Sequence, residues 1–273
     1  DDGDLWDFFE KKRKIEKALP IIAVMTVAAT GSEYNRITVI KNEKLHKKDA
    51  VWDEHLYPKV SLLDPELTYS VSPQITAYGG VDIISHALET YITGKYYPLL
   101  QLRFKEALIT TVMESVKKAQ HNPNDYEARS YLMWASSMAC SQILNMGNGE
   151  GPIPAHIIDT EAGGLYDTPH GAGLAVLLPA VMKYEANKYA YSIGRFAREI
   201  MHIDNQSSMS DLNIVYEGIE AFRTWLRSIG CPITLKELGI KEEDLEKIAR
   251  RVSENPLGTD KRTALGILNT FYT

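Results

Sequence analysis

Four side chains that could bind one metal ion are the main chemical feature of the sequence. Asp82 and His86 are four residues apart in GGVDIISHALETY, so a helix would place both on one face, one turn apart. His156 and His170 lie in a second segment, IPAHIIDTEAGGLYDTPHGAGL, which is poor in charge. One carboxylate and three neutral imidazoles suit Zn²⁺ or Fe²⁺. The sequence therefore predicts a divalent metal site whose ligands come from neighbouring helices.

None of these residues identifies the site by itself. A histidine on an apolar helix face is more often packed and hydrogen-bonded than bound to a metal. The remaining histidines lie in charged or polar neighbourhoods and are predicted to be solvated surface residues: His46, His55, His121 and His202. The two cysteines, Cys140 and Cys231, have no CxxC spacing and are interpreted as packing residues in a reducing compartment.

Composition narrows the class of protein. The 273 residues include 30 lysines and arginines against 36 acidic residues, for a net charge of −6, and neither sign forms long runs. Nucleic acid and anionic lipid are therefore not expected partners. There is no apolar segment of signal-peptide type and none near the roughly 20 residues that span a bilayer. With 44% hydrophobic residues, the chain is expected to be a globular protein of the cytoplasm without a membrane partner.

The pattern of apolar residues changes near Pro73. Before it, β-branched and apolar runs predict strands over about residues 19–29, 36–41 and 59–63, which together would form the remnant of one sheet. After it, helical periodicity dominates. The predicted helices cover residues 73–93, 99–119, 125–145, 156–165, 170–184, 188–201, 209–228 and 241–253. The sequence thus predicts a mainly α protein with a strand-bearing domain at 1–72 and an all-helical domain at 73–273.

Four motifs carry a resemblance to a known family. They are TVAATGSEYNRITVI, VSLLDPELTYSVSPQ, GGVDIISHALETYIT and YDTPHGAGLAVLLPAVMKYEAN. Their order and spacing closely resemble the iron-containing (group III) alcohol dehydrogenases, with the butanol dehydrogenase branch nearest. The resemblance implies a dehydroquinate synthase-like architecture, in which a helical metal-binding domain follows an α/β dinucleotide-binding domain, here represented by a remnant.

The resemblance also implies an activity and its residues. In the family, a metal held by one aspartate and three histidines polarises an alcohol oxygen beside a nicotinamide, and these ligands correspond to Asp82, His86, His156 and His170. Contacts to NAD(P)H are implied for Thr26, Thr30 and Lys48. The expected reaction is the NAD(P)-dependent oxidation of a small alcohol or reduction of an aldehyde.

Three departures from the family pattern modify this expectation. The glycine-rich turn of the GGGS kind, which cradles the cofactor pyrophosphate, does not occur in the chain, so we expect impaired NAD(P)H binding. The GNGEG segment at 147–151 follows no predicted strand and is interpreted as a loop. Thr160 stands where the family has a further histidine, and Asp159 replaces a longer glutamate. A threonine hydroxyl can relay a hydrogen bond but cannot act as a base near neutral pH.

Two other functions are compatible with the same residues. One is a catalytically silent metal-binding or interaction protein, in which the four ligands serve folding. The other is a metal-assisted hydrolase or lyase, for which the sequence offers no general base near Thr160. Whatever the activity, a remnant of a sheet would expose unpaired strand edges. We therefore expect a homo-oligomer in which a partner chain covers that sheet.

Overall fold

The computed structural model describes residues 3–149, 151–203 and 210–273, which are mainly helical. Glu150 of the GNGEG segment and Met209, the predicted start of a helix, lie outside these residues. The strands are β1 Ile22–Val24, β2 Ile37–Asn42, β3 Lys47–Trp52 and β4 Val60–Leu62. The helices are α1 Trp6–Phe9, α2 Pro73–Thr93, α3 Leu99–His121, α4 Tyr126–Ala139, α5 Pro154–Tyr166, α6 His170–Tyr184, α7 Ala190–Glu199, α8 Asp211–Ser228, α9 Leu245–Glu254 and α10 Lys261–Thr270.

The strands of the sheet remnant form two separate pairs. β1 pairs in parallel with β4, and β2 pairs with β3 as an antiparallel hairpin. β1 is also shorter than the predicted 19–29, because it ends at Val24 and the chain bends from Thr26 onward. A tighter turn follows at Gly31, where φ is +58°. There the Gly31 N–H donates to Ser136 Oγ at 3.0 Å. This contact directs the chain from the strands onto α4.

Most of the helices agree with the predicted ones, and their ends have local causes. α2 starts where Ser72 accepts a hydrogen bond from the Ile75 N–H and Pro73 occupies the first helical position. α4 starts at the Asp125 cap as predicted, but it ends at Ala139, and Gln142–Asn145 form a separate 3-10 turn. α10 was not predicted. Its Asp260 cap, which accepts from the Thr263 N–H, was the available signal.

The centre of the core is α2, which packs against α3, α4 and α6. Its buried residues lie on every side of the helix and include Val81, Ile84 and Leu88, each fully buried. A helix that is apolar all round is stable only when other helices surround it. Among the described residues, no helix has both the length and the apolar character needed to cross a membrane.

A hairpin of strands is attached to the helices from outside. β3 packs on α5, and Lys41 of β2 forms a 2.6 Å ion pair with Asp167. Arg251 of α9 donates to the carbonyl of His46 in the hairpin turn at 2.9 Å. These contacts hold the hairpin against α5 and α9.

One buried lysine interrupts the helical core. The Lys105 side chain is fully buried between α2 and α3, where its ammonium donates to Thr90 Oγ1 at 2.8 Å. Thr90 in turn donates to Asn145 Oδ1 at 2.8 Å. Burial lowers the pKa of Lys105 to about 7, because the charged form is poorly solvated there.

The Ile84 side chain should contribute far more to the free energy of unfolding than Ile75, which lies on the same helix. Ile84 is fully buried, whereas Ile75 is 42% exposed. We expect Ile84→Ala to lower the free energy of unfolding by about 2–5 kcal/mol. The matched Ile75→Ala change should cost less than about 1 kcal/mol. Urea denaturation followed by circular dichroism measures both, and equal losses would contradict the central position of α2.

The buried Lys105 predicts a rise of stability with pH. Between pH 7 and about 10 the unfolded chain holds a proton on this lysine that the folded chain lacks, so the free energy of unfolding should increase with pH. Lys105→Met should stabilise the protein at pH 7 and flatten this slope. Lys117→Met, an exposed control on α3, should leave the slope unchanged. Urea titrations at several pH values decide the matter.

Candidate metal centre

Asp82 and His86 project from one face of α2 toward the starts of α5 and α6. Asp82 Oδ1 lies 3.9 Å from His86 Nε2 and 3.4 Å from His170 Nε2. The Asp82 side chain is 4% exposed. Its Oδ1 is fully buried and accepts no hydrogen bond from the described residues. An ionised oxygen in that position needs a cation nearby.

The three imidazoles lie beside one another. The His86 and His156 ring centroids are 5.0 Å apart, and those of His156 and His170 are 5.4 Å apart. Asp82, His86 and His156 each offer one ligand atom, and these atoms lie within 4.8 Å of one another. His170 is outside that group of three but reaches the same carboxylate oxygen through Nε2. The structure thus brings the four sequence-predicted residues into one cluster.

Two buried carboxylates stand behind the histidines. Glu89 of α2 accepts a very short hydrogen bond from His156 Nδ1, and its other oxygen accepts from the Ala155 N–H at 2.8 Å. Asp159 forms a similar short bond with His170 Nδ1. A carboxylate on Nδ1 fixes the tautomer and leaves Nε2 free as a ligand, an arrangement typical of metal-binding histidines.

Sequence reasoning missed the role of Glu89. The available signal was its position seven residues after Asp82, which places it on the same helix face. Asp159 was noticed only as a departure from the family pattern. The structure gives it a function, because its shorter side chain still reaches His170.

The pKa values of His86 and His156 are shifted in opposite directions. Burial lowers the pKa of His86 to about 4, because the charged form loses its solvation. Burial also disfavours charged His156, but the negative charge of Glu89 and its hydrogen bond outweigh this effect and raise the pKa of His156. His86 is therefore a neutral donor at physiological pH.

The residues present fit a divalent metal. The fit rests on the unpartnered buried Oδ1 of Asp82, on the Nε2 atoms of His86 and His170 near it, and on the two carboxylates that orient His156 and His170. Nitrogen and oxygen donors of this kind accept either Zn²⁺ or Fe²⁺. The four other histidines are exposed, as predicted.

The residues implied for the cofactor lie on the strand-bearing side. Thr26 and Thr30 are exposed, and Lys48 of β3 is half-buried. The Thr30 carbonyl accepts from the Cys140 thiol at 3.0 Å. Burial and then the charge of Asp82 raise the pKa of that thiol.

Thr160 lies one helical turn after His156 on α5 and is half-buried. Because residues four apart share a helix face, its hydroxyl lies on the side of α5 that carries the imidazole. The structure places no histidine at this point of the helix.

Sequence comparisons connect this cluster to known proteins. Residues 76–264 match the C-terminal part of the Fe-containing alcohol dehydrogenase family, and residues 1–65 match the iron-containing alcohol dehydrogenases. NADH-dependent butanol dehydrogenase A of Clostridium acetobutylicum is 36% identical over 259 residues, which cover 94% of this chain and 66% of that protein. The NADPH-dependent aldehyde reductase YqhD of Escherichia coli is 27% identical, with coverage of 98% and 70%. The chain therefore spans about two thirds of the length of these relatives.

Solved structures of related proteins have the same fold as this chain. The NADH-dependent butanol dehydrogenase A from Thermotoga maritima superposes with a TM-score of 0.93 at 37% identity, covering 100% of this chain and 71% of that one. A 1,3-propanediol oxidoreductase gives a TM-score of 0.81 at 28% identity, with coverage of 99% and 71%. These similarities confirm the predicted mainly α class.

The close contact between α5 and α6 at Asp159 should depend on Gly173. A Cβ at Gly173 would lie 1.7 Å from Asp159 Oδ1, whereas a Cβ at Gly163 would meet nothing closer than 3.7 Å. We expect Gly173→Ala to destabilise the protein by about 1–3 kcal/mol. Gly163→Ala, within α5, should be neutral or stabilising by up to about 1 kcal/mol. Thermal unfolding of both variants tests this, and a harmless Gly173→Ala would contradict the packing described.

Proposed function

Because the chain belongs to the iron-containing alcohol dehydrogenase family, we propose that it acts as an NAD(P)-dependent alcohol or aldehyde oxidoreductase. Residues 73–273 form the metal-binding domain in this proposal, and residues 1–72 contribute to the nucleotide-binding side. The proposed metal ligands are Asp82, His86, His156 and His170. The buried Oδ1 of Asp82, which lacks a hydrogen-bond partner beside two imidazoles, carries the proposal.

The chain's own residues prepare the site for this chemistry. When bound, a divalent metal lowers the pKa of an alcohol hydroxyl or polarises an aldehyde carbonyl. Glu89 and Asp159 hold Nδ1 of His156 and His170, so that each ring presents Nε2. Burial keeps His86 neutral and therefore able to donate its lone pair. Asp82 supplies the single negative charge among the four ligands.

The proposed contacts to the dinucleotide are Thr26, Thr30 and Lys48. The Thr30 turn is fixed to α4 by the Gly31 N–H on Ser136 and by the Cys140 thiol. Lys48 is fixed through the hairpin, which packs on α5. Both attachments therefore end on helices of the metal-binding domain.

The proposed proton relay is Thr160. Its hydroxyl can accept a proton from a substrate hydroxyl only while passing its own proton onward, and it does not change charge near neutral pH. This arrangement orients a substrate oxygen and predicts slower proton exchange than a titrating imidazole would give.

The residue at Thr160 also favours a second candidate. A metal site kept without a base beside it suits a metal-binding protein without catalysis, in which the cation joins α2, α5 and α6. The two candidates agree on the ligands and differ in whether alcohol or aldehyde turns over.

Metal content tests the ligand set. We expect the purified protein to bind one divalent ion per chain and to lose it in His156→Ala combined with His170→Ala, because two of four ligands are removed. Glu89→Gln should weaken metal affinity by about 10–100-fold, since the imidazole loses its orienting partner. His121→Ala is the exposed control. Elemental analysis after dialysis against a chelator measures all four proteins, and unchanged uptake in the double variant would refute the ligand set.

Turnover separates the two candidates. Because the glycine-rich turn does not occur in the chain, we expect NADH-dependent reduction of butanal, measured at 340 nm, to be weak even with metal bound and to fall in parallel with metal content in the ligand variants. Thr160→His should raise the rate by roughly tenfold or more and introduce a pH dependence near the ordinary histidine pKa, since a general base contributes about 10²–10⁴. Bound metal without turnover in either protein would favour the metal-binding protein.

A further inference from the structure

Arg251 of α9 connects two parts of the molecule that carry different halves of the proposed site. Its Nε donates to Glu161 Oε2 at 2.8 Å, and its Nη2 donates to the carbonyl of His46 at 2.9 Å. Glu161 lies on α5, the helix that carries His156, whereas His46 lies in the turn between β2 and β3. One guanidinium therefore joins the helix of a proposed metal ligand to the hairpin that carries Lys48.

The ion pair of Arg251 and Glu161 is largely shielded from solvent. The Arg251 side chain is 16% exposed and the Glu161 side chain is 12% exposed. Asn255, which ends α9, donates from Nδ2 to Glu161 Oε1 at 3.2 Å. Because both carboxylate oxygens accept hydrogen bonds away from water, the three side chains hold one geometry more firmly than an exposed pair would. We call Glu161, Arg251 and Asn255 the α5–α9 clamp.

The turn of the hairpin is in close contact with α5 where the clamp holds it. A Cβ added at Gly164 would lie 3.1 Å from the His46 carbonyl oxygen and 3.3 Å from the backbone nitrogen of Lys48. Lys48 follows His46 by two residues in the same hairpin. A shift of the turn would therefore move the backbone of Lys48 with it.

The second polar attachment of the hairpin is weaker than the clamp. Lys41 of β2 pairs with Asp167 at 2.6 Å, but the Asp167 side chain is 82% exposed. Exposed ion pairs contribute little, because water and salt screen them. The α5–α9 clamp is therefore the stronger of the two polar attachments.

We propose that Glu161 and Arg251 are positioning residues for Lys48, and that they set the affinity for the dinucleotide without touching it. This inference rests on the contact between Lys48 and NAD(P)H in the proposed function. A misplacement of about 1 Å severely weakens a contact that depends on orientation. Loss of the clamp frees the turn at His46, so the Lys48 ammonium no longer has one fixed position.

The metal cluster does not depend on the clamp in this way. Glu89 orients His156 and Asp159 orients His170, and neither carboxylate belongs to the clamp. Changes in the clamp should therefore weaken dinucleotide binding while the metal content stays the same. A general loss of folding would lower both.

A double-mutant cycle on NADH binding tests the inference. Arg251→Lys keeps a positive charge beside Glu161 but loses the planar fork that serves two acceptors at once, so it should weaken NADH binding by about three- to tenfold. Lys48→Met should weaken it at least as much. The combined variant should bind NADH as Lys48→Met does, because a side chain that is absent cannot be misplaced. Fluorescence titration of the zinc-loaded full chain with NADH measures all four dissociation constants.

A matched control and a second measurement separate positioning from damage to the fold. Arg250 precedes Arg251 on α9, and its side chain is 65% exposed in a 3.9 Å pair with Glu254. Arg250→Lys should leave NADH binding unchanged. Hydrogen–deuterium exchange of the amides of residues 43–48 should be faster in Arg251→Lys and unchanged in Arg250→Lys. Metal content and circular dichroism of every variant should equal those of the parent chain.

The outcomes distinguish this inference from the proposed function. If Lys48→Met weakens NADH binding but Arg251→Lys does not, or if the two losses add, the clamp does not position Lys48 and the inference alone is overturned. Unchanged exchange at residues 43–48 in Arg251→Lys overturns it as well. If Lys48→Met binds NADH as tightly as the parent chain, or the parent chain binds none, the proposed dinucleotide contact is wrong and the inference falls with it.

Discussion

The buried carboxylate oxygen of Asp82 needs a positive or hydrogen-bonding partner, and the elements around it are arranged to supply one. Asp82 Oδ1 is removed from solvent without a hydrogen-bond donor among the described residues. An unpaired buried charge costs several kcal/mol, so it persists only where a cation or a protonated ring compensates it. Nitrogen atoms of His86 and His170 lie within 4 Å of it. The middle of α2 and the starts of α5 and α6 meet at this point.

The three buried carboxylates around the cluster have two different positions. Asp82 faces the imidazoles, whereas Glu89 and Asp159 stand behind them and hold their outer nitrogens. This order places a carboxylate on both sides of the imidazole rings, and each of the three buried carboxylates has a ring nitrogen beside it. Gly173 makes the arrangement possible, since any side chain there would occupy the position of Asp159.

Features of the fold were predictable from the sequence where the residues that determine them are close together in the chain. The bounds of α2 and α6 were predictable because Ser72, Pro73 and the apolar periodicity act within a few residues. The pairing of the strands was not, because it depends on residues far apart in the chain: β1 pairs with β4, and the Gly31 N–H after β1 donates to Ser136, 105 positions away. α10 was missed although Asp260 caps it and its buried residues Ala264, Ile267 and Leu268 have helical spacing. The four candidate ligands were chosen from spacing and from the family resemblance, but Glu89 required knowledge of which residue its helix face meets.

The hairpin of β2 and β3 rests on the same helix that begins two residues before His156. Gly164 of α5 lies directly beneath its turn, where an added Cβ would approach the His46 carbonyl to 3.1 Å. Lys48 and the His156 imidazole are therefore both attached to α5. A tilt of this helix would move both together, so the distance between the lysine and this one imidazole would change little while their distances to the residues of α2 changed.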